Sequence, residues 1–77
     1  ETSLQISAKD KIDVVANIAT ILSTLKIIVH QMDARSFGDG YSVINIVMQV
    51  TGTEQLDYVT SKLRGISGVI DVKRTLS

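Results

Sequence analysis

Apolar residues in this chain switch from every second position to every third or fourth and back, twice over. Few folds absorb that pattern in 77 residues. "SLQISA" sets Leu4, Ile6 and Ala8 against Ser3, Gln5 and Ser7, the period of a half-buried strand. From Asp13 the apolar positions become Val14, Ile18, Ile21 and Leu25, one stripe along a helix. Asp10 or Asp13 is placed to cap that helix, and either carboxylate suits the positive end of its dipole. "KIIVHQMDARS" then reads as a second strand rich in β-branched residues.

"FGDG" joins this strand to the next with residue types that accept positive φ, which is a hairpin signal. "YSVINIVMQV" puts Ile44, Ile46, Met48 and Val50 on one face, with Tyr41, Val43, Asn45, Val47 and Gln49 on the other. A second helix follows in "TGTEQLDYVTSKLRGI", with Thr53 as its expected cap and Leu56, Val59, Leu63 and Ile66 as its stripe. Gly65 or Gly68 ends it, and "GVIDVKRTL" is the last strand. The order strand, helix, strand, strand, helix, strand satisfies the right-handed crossover rule when both helices lie on one side of an antiparallel sheet. The expected class is α+β: a ferredoxin-like sandwich of four antiparallel strands with two helices on one face, forming a single domain over residues 1–77.

One helix layer leaves the other sheet face bare. The alternation places Gln5, Val29, Gln31, Arg35, Val43, Asn45, Val47 and Gln49 there. That face is polar enough to be solvated, while its three valines suit a partner domain or a second copy. The second strand belongs at a sheet edge, where unpaired N–H and C=O groups invite pairing with a twin chain. Ile27, Val29 and Gln31 mark that edge, and a side-by-side homodimer is the expected partner arrangement. A chain this short buries only about 60–65% of its unfolded surface, so self-association would help it.

Eight acidic and eight basic residues cancel, which removes the long-range attraction that nucleic acid or an anionic membrane requires. Cys is absent, so there is no disulfide framework and no thiolate metal site, in keeping with a cytoplasmic origin. No apolar run approaches the ~20 residues of a membrane span. The chain opens on "ETSLQIS" without an initiator Met and reads as a piece of something longer.

No catalytic constellation emerges, and no cofactor is implied. His30 is the only histidine and reads as a structural or partly exposed strand residue. Capping explains Asp10 and Asp13 more simply than general acid–base work. "FGDG" lies between strands rather than before a helix, which argues against phosphate cradling. The central strands lack the aromatics on which RNA-recognition modules stack bases. Arg64, Lys73 and Arg74 gather toward the C-terminus and could touch a phosphate backbone, although such charges mostly solvate a surface.

With "DKIDVV", "KII", "DGYSVINI" and "LRGISGVIDVKR" in place, the whole chain from Leu4 to Arg74 resembles an ACT domain. It is most similar to the C-terminal ACT domain of the Rel-type GTP pyrophosphokinases, which make and often degrade (p)ppGpp. Such domains read "DR-x-G-[LV]-L", then "INI", then "DG-x-[AS]-x-[IL]", and close on "L-x-x-I-x-GV-x-x-V-x-R". The resemblance implies a non-catalytic regulatory module that works in pairs. It would relay amino-acid ligand, partner or ribosome status to catalytic domains of a parent enzyme. The alternative is an amino-acid-sensing ACT domain of a biosynthetic enzyme. The ligand corner it implies is Asp10, Lys11, Ile12, Asp13 and Val14, together with Ile27 from across a dimer interface. Two departures stand out. Asp13 replaces the glycine that lets a ligand approach the helix N-terminus. Ile27 replaces the Asn that reaches the ligand in amino-acid-binding members. The expectation is a degenerate site, or one for a different small ligand.

Overall fold

The computed structural model describes residues 2–75. Its elements are β1 (Thr2–Lys9), α1 (Ile12–Thr24), β2 (Ile28–Ser36), β3 (Tyr41–Gln49), α2 (Thr53–Arg64) and β4 (Val69–Thr75). The four strands form one antiparallel sheet in the order β2-β3-β1-β4, with β2 at one edge and β4 at the other. The shortest molecular extent is 17 Å. That thickness fits one sheet and one helix layer, since packed layers sit roughly 10 Å apart.

The alternation read from the sequence decides which side is filled. Leu4, Ile6, Ala8, Ile44, Ile46, Met48 and Val72 are buried beneath the helices. Their odd-numbered neighbours Ser3, Gln5, Ser7, Val43, Asn45 and Val47 stay half-exposed on the bare side. From α2, Leu56, Val59 and Leu63 complete the core, followed by Ile66 just beyond the helix. From α1 the buried stripe is Val14, Ile18 and Leu22, with Ile21 and Leu25 only partly covered. The expected stripe thus drifts by one residue at its end, and the cause is how α1 stops.

That stop is a Schellman cap. Ile27 N–H donates to the Leu22 carbonyl at 2.9 Å, and Lys26 N–H donates to the Ser23 carbonyl at 3.0 Å. Lys26 takes φ +58°, a left-handed conformation usually left to Gly or Asn. The cap turns Leu22 and Ile27 into the core together. β2 therefore begins at Ile28 rather than at Lys26.

Both caps expected at the helix starts are absent. The N-cap of α1 is Lys11, that of α2 is Gly52, and neither cap makes a side-chain hydrogen bond. Asp13 sits in the first turn of α1, where its charge meets the helix dipole without capping. At α2, Gln55 reaches back so that its Oε1 accepts from Thr51 N–H at 2.6 Å and from Thr51 Oγ1 at 3.1 Å.

The hairpin forms as expected. Gly38 and Gly40 take positive φ, Phe37 N–H donates to the Tyr41 carbonyl, and Asp39 Oδ1 accepts from Tyr41 N–H. A bulge between Val29 and Gln31 changes the parity of β2. Val29 is paired opposite Met48 on the helix side, so its expected place on the bare face is corrected, while Ile28 joins Gln49 there.

Candidate functional site

The β1–α1 corner meets two other loops at one end of the sheet. Lys9 N–H donates to the Gly68 carbonyl at 2.8 Å, and Asp10 N–H donates to the Gly40 carbonyl at 2.9 Å. The corner is thus tied to the α2–β4 connection on one side and to the β2–β3 hairpin on the other. Lys11 N–H turns back to the Lys9 carbonyl, and Lys11 is extended at φ −130°, ψ 138° before the helix begins.

Within the corner the five expected residues play different parts. Asp10, Lys11, Ile12 and Asp13 are exposed, and Ile12 is 92% exposed. Val14 is 1% exposed, packed into the core, and its N–H donates to the Lys11 carbonyl at 3.1 Å. Only the first four can therefore meet a ligand through their side chains. Lys11 presents an ammonium and Asp13 a carboxylate at the positive end of α1. An anion arriving there meets attraction from Lys11 and repulsion from Asp13. Gly68 lies behind the corner with φ +98°, and a Cβ on it would come within 2.7 Å of Val14 Cγ2. That glycine supports the corner by letting α1 sit close.

Ile27 stands elsewhere. It is 8% exposed and belongs to its own chain's core, held in the cap after α1. The corner and Ile27 occupy opposite ends of a 13-residue helix, about 20 Å apart. A single chain does not bring them together. Of the other two edge residues, Val29 and Gln31 are exposed on β2, on either side of the bulge. His30 is the exposed residue at that bulge, and no cluster of metal-ligating side chains occurs among the described residues.

The basic residues of the C-terminal third gather around one groove. Lys73 pairs with Gln5 on the bare face, whereas Arg74 pairs with Leu4 on the helix side. Arg64 donates from Nη2 to the Val72 carbonyl at 2.8 Å. Arg64, Lys73 and Arg74 all line a groove of about 420 Å³ between α2 and β4, together with Asp57 and Asp71. Asp57 and Asp71 set carboxylates among these cations, so the groove is of mixed charge rather than uniformly basic. No helix among the described residues is long and apolar enough to cross a membrane.

Solved structures with this fold include the ACT domain from GTP pyrophosphokinase of Chlorobium tepidum. It is 24% identical with a TM-score of 0.85, covering 96% of this chain and 95% of that one. The C-terminal domain of the MgtC protein from Mycobacterium tuberculosis matches at TM-score 0.78 and 19% identity, over 99% of this chain and 85% of that one. A homoserine dehydrogenase from Thiobacillus denitrificans matches at TM-score 0.78 and 22% identity, over 95% of this chain and 16% of that one. At these identities the likeness speaks for the fold. A sequence search against curated proteins found no match. The model of the ACT domain family matches residues 1–74, nearly the entire chain. The chain belongs to the ACT domain family, a class of non-catalytic regulatory modules.

Proposed function

We propose that this ACT domain is the regulatory module of a GTP pyrophosphokinase, relaying ligand, partner or ribosome status to synthetase and hydrolase domains of a parent chain. The observation that carries this reading is the corner itself. It keeps an uncapped helix start with exposed Asp10, Lys11 and Ile12, yet Asp13 sets a carboxylate in the first turn and Ile27 is buried away from it. Such a corner favours contact with another domain or an unusual small ligand over ordinary amino-acid capture. The likeness to the Chlorobium domain over nearly all of both chains supports the choice of parent.

Pairing is part of the proposal. β2 is an edge strand with Ile28 and Val29 exposed, and a twin chain added there would satisfy its free backbone groups. Because the corner and the end of α1 lie about 20 Å apart, a second copy is also needed to bring them into one site. Signalling would then be a population shift: a partner that binds one domain arrangement better than another favours it by the difference in affinity.

Titration of the chain with the twenty amino acids, followed through backbone amide shifts, tests the corner. Unchanged shifts from Lys11 to Val14 are expected for the native chain. Saturable shifts there would overturn the degenerate reading. Asp13→Gly alone should then create weak affinity, because it reopens the helix start without disturbing buried Ile27.

A second reading, an amino-acid-sensing domain of a biosynthetic enzyme, draws support from the likeness to the homoserine dehydrogenase. The encoding gene separates the two. Nucleotidyl-transferase and HD-type metal motifs ahead of Glu1 favour the first, and a dinucleotide-binding glycine fingerprint favours the second.

A further inference from the structure

The bare sheet face carries a charge pattern that becomes visible only once the strands are in register. Read across β2, β3, β1 and β4, one row is Arg35, Val43, Ser7, Asp71. The next is Asp33, Asn45, Gln5, Lys73, and the third is Gln31, Val47, Ser3, Thr75. Each of the first two rows has opposite charges at its ends, and the polarity reverses from one row to the next.

We propose that this face is a homotypic docking surface on which two copies stack about a twofold axis running along the strands, between β3 and β1. That operation exchanges β2 with β4 and β3 with β1. Arg35 then meets the partner's Asp71, and Asp33 meets the partner's Lys73. Symmetry makes four ion pairs. Asn45 lies over the partner's Gln5, two amides able to exchange hydrogen bonds. Val43 and Val47 lie over the partner's Ser7 and Ser3, large against small. One row further, Tyr41 pairs beside Lys9, so the Tyr41 ring faces the partner's Lys9 in cation–π geometry. Strands of two stacked sheets stay within about 30° of each other, a splay that long edge side chains can span.

An axis running across the strands, between the two charged rows, would instead set Arg35 on the partner's Asp33 and Lys73 on the partner's Asp71. The variants below separate the two arrangements, because only the axis along the strands places residue 35 against residue 71. Within one chain, Asp33 and Arg35 approach only to 3.9 Å with side chains 43% and 78% exposed, so both are free to turn to a partner. Four strands at roughly 4.8 Å and three rows at roughly 7 Å give a footprint of about 400 Å² per copy. That is small for a specific interface, so association should be weak and sensitive to salt. Stacking leaves both sheet edges free and is independent of pairing along β2 and of any ligand at the corner.

Sedimentation equilibrium of the 77-residue chain at low salt tests this with Arg35→Asp and Asp71→Arg. Each substitution alone places like charges opposite one another twice, and should weaken face-to-face association about tenfold or more. An equimolar mixture of the two variants restores opposite charges at both contacts and should associate as the native chain does. The double variant should do so by itself. Asp71→Arg separates stacking from β2-edge pairing, because β4 lies at the far edge. Native-like association of Asp71→Arg, or a mixture no tighter than its components, overturns the proposal. So do concentration-independent methyl shifts at Val43 and Val47, the two valines that stacking would bury.

Discussion

Replacing Gly68 by Ala should destabilise the domain by about 2–4 kcal/mol, although it adds only a single methyl group. Two effects contribute. Gly68 holds φ +98°, where an L-residue pays backbone strain of order 1–3 kcal/mol. Its new Cβ would also stand 2.7 Å from Val14 Cγ2. Val14 is 1% exposed and β-branched in a helix, so it cannot rotate away, and overpacking of this kind costs about 1–3 kcal/mol. Loss of glycine's freedom in the unfolded chain returns roughly 0.4–1 kcal/mol. Against a total stability of roughly 4–12 kcal/mol for a chain this size, the variant should still fold. Urea unfolding should show the midpoint falling by about 2 M with an unchanged slope, taking that slope as about 1–1.5 kcal/mol per M. The steric part is isolated by a double-mutant cycle with Val14→Ala, which deletes the opposing methyl. In that background Gly68→Ala should cost only the strain, leaving a coupling of about 1–3 kcal/mol. Equal costs in both backgrounds would refute the close approach, and a cost below about 0.5 kcal/mol would refute the backbone argument as well.

Lys26→Gly relieves the left-handed residue after α1 and should stabilise by about 0.5–1 kcal/mol, raising the melting temperature by roughly 2–8 °C. Lys11→Ser supplies the side-chain cap that α1 lacks, from a backbone already extended, and should add about 0.5–1 kcal/mol in urea unfolding. Asp10→Ala should change stability by less than about 0.5 kcal/mol, because Asp10 caps nothing; a loss near 1 kcal/mol would mean that it does. Gln55→Ala removes the acceptor for Thr51 at the start of α2 and should cost about 1 kcal/mol, with amide exchange at Thr51 accelerated.

Periodicity carried most of the fold. The strand alternation in β1 and β3 and the stripe Leu56, Val59, Leu63 are local patterns, and burial follows them until Val50, which lies past the end of β3 and is only partly covered. What was hidden lay where local rules break. A helix ending in Leu25-Lys26 offers no glycine to announce a cap, so Ile27 read as strand when the cap places it in the core ahead of β2. The bulge at His30 likewise carries no sequence mark, yet it moves Val29 to the opposite face. Asp10 and Asp13 are ordinary capping residues by type, but the chain places Lys11 at the cap instead. The corner's location was legible from motif and spacing. The burial of Ile27 in its own core was not, because it follows from the cap after α1 rather than from any local pattern. The charge rows depend on pairing between strands distant in sequence, so no single segment contains them.

The two short backbone bonds from Lys9 and Asp10 have a mechanical consequence. One anchors the end of β1 to the peptide preceding β4, and the other to the hairpin that launches β3. Whatever pulls on this junction drags the strands on both sides of β1 at once, so a small tug at the helix entrance is shared by its two neighbouring ribbons rather than absorbed in a loose loop. Slow amide exchange at residues 9 and 10, speeding up together when either bond is weakened, would be the trace of that yoke.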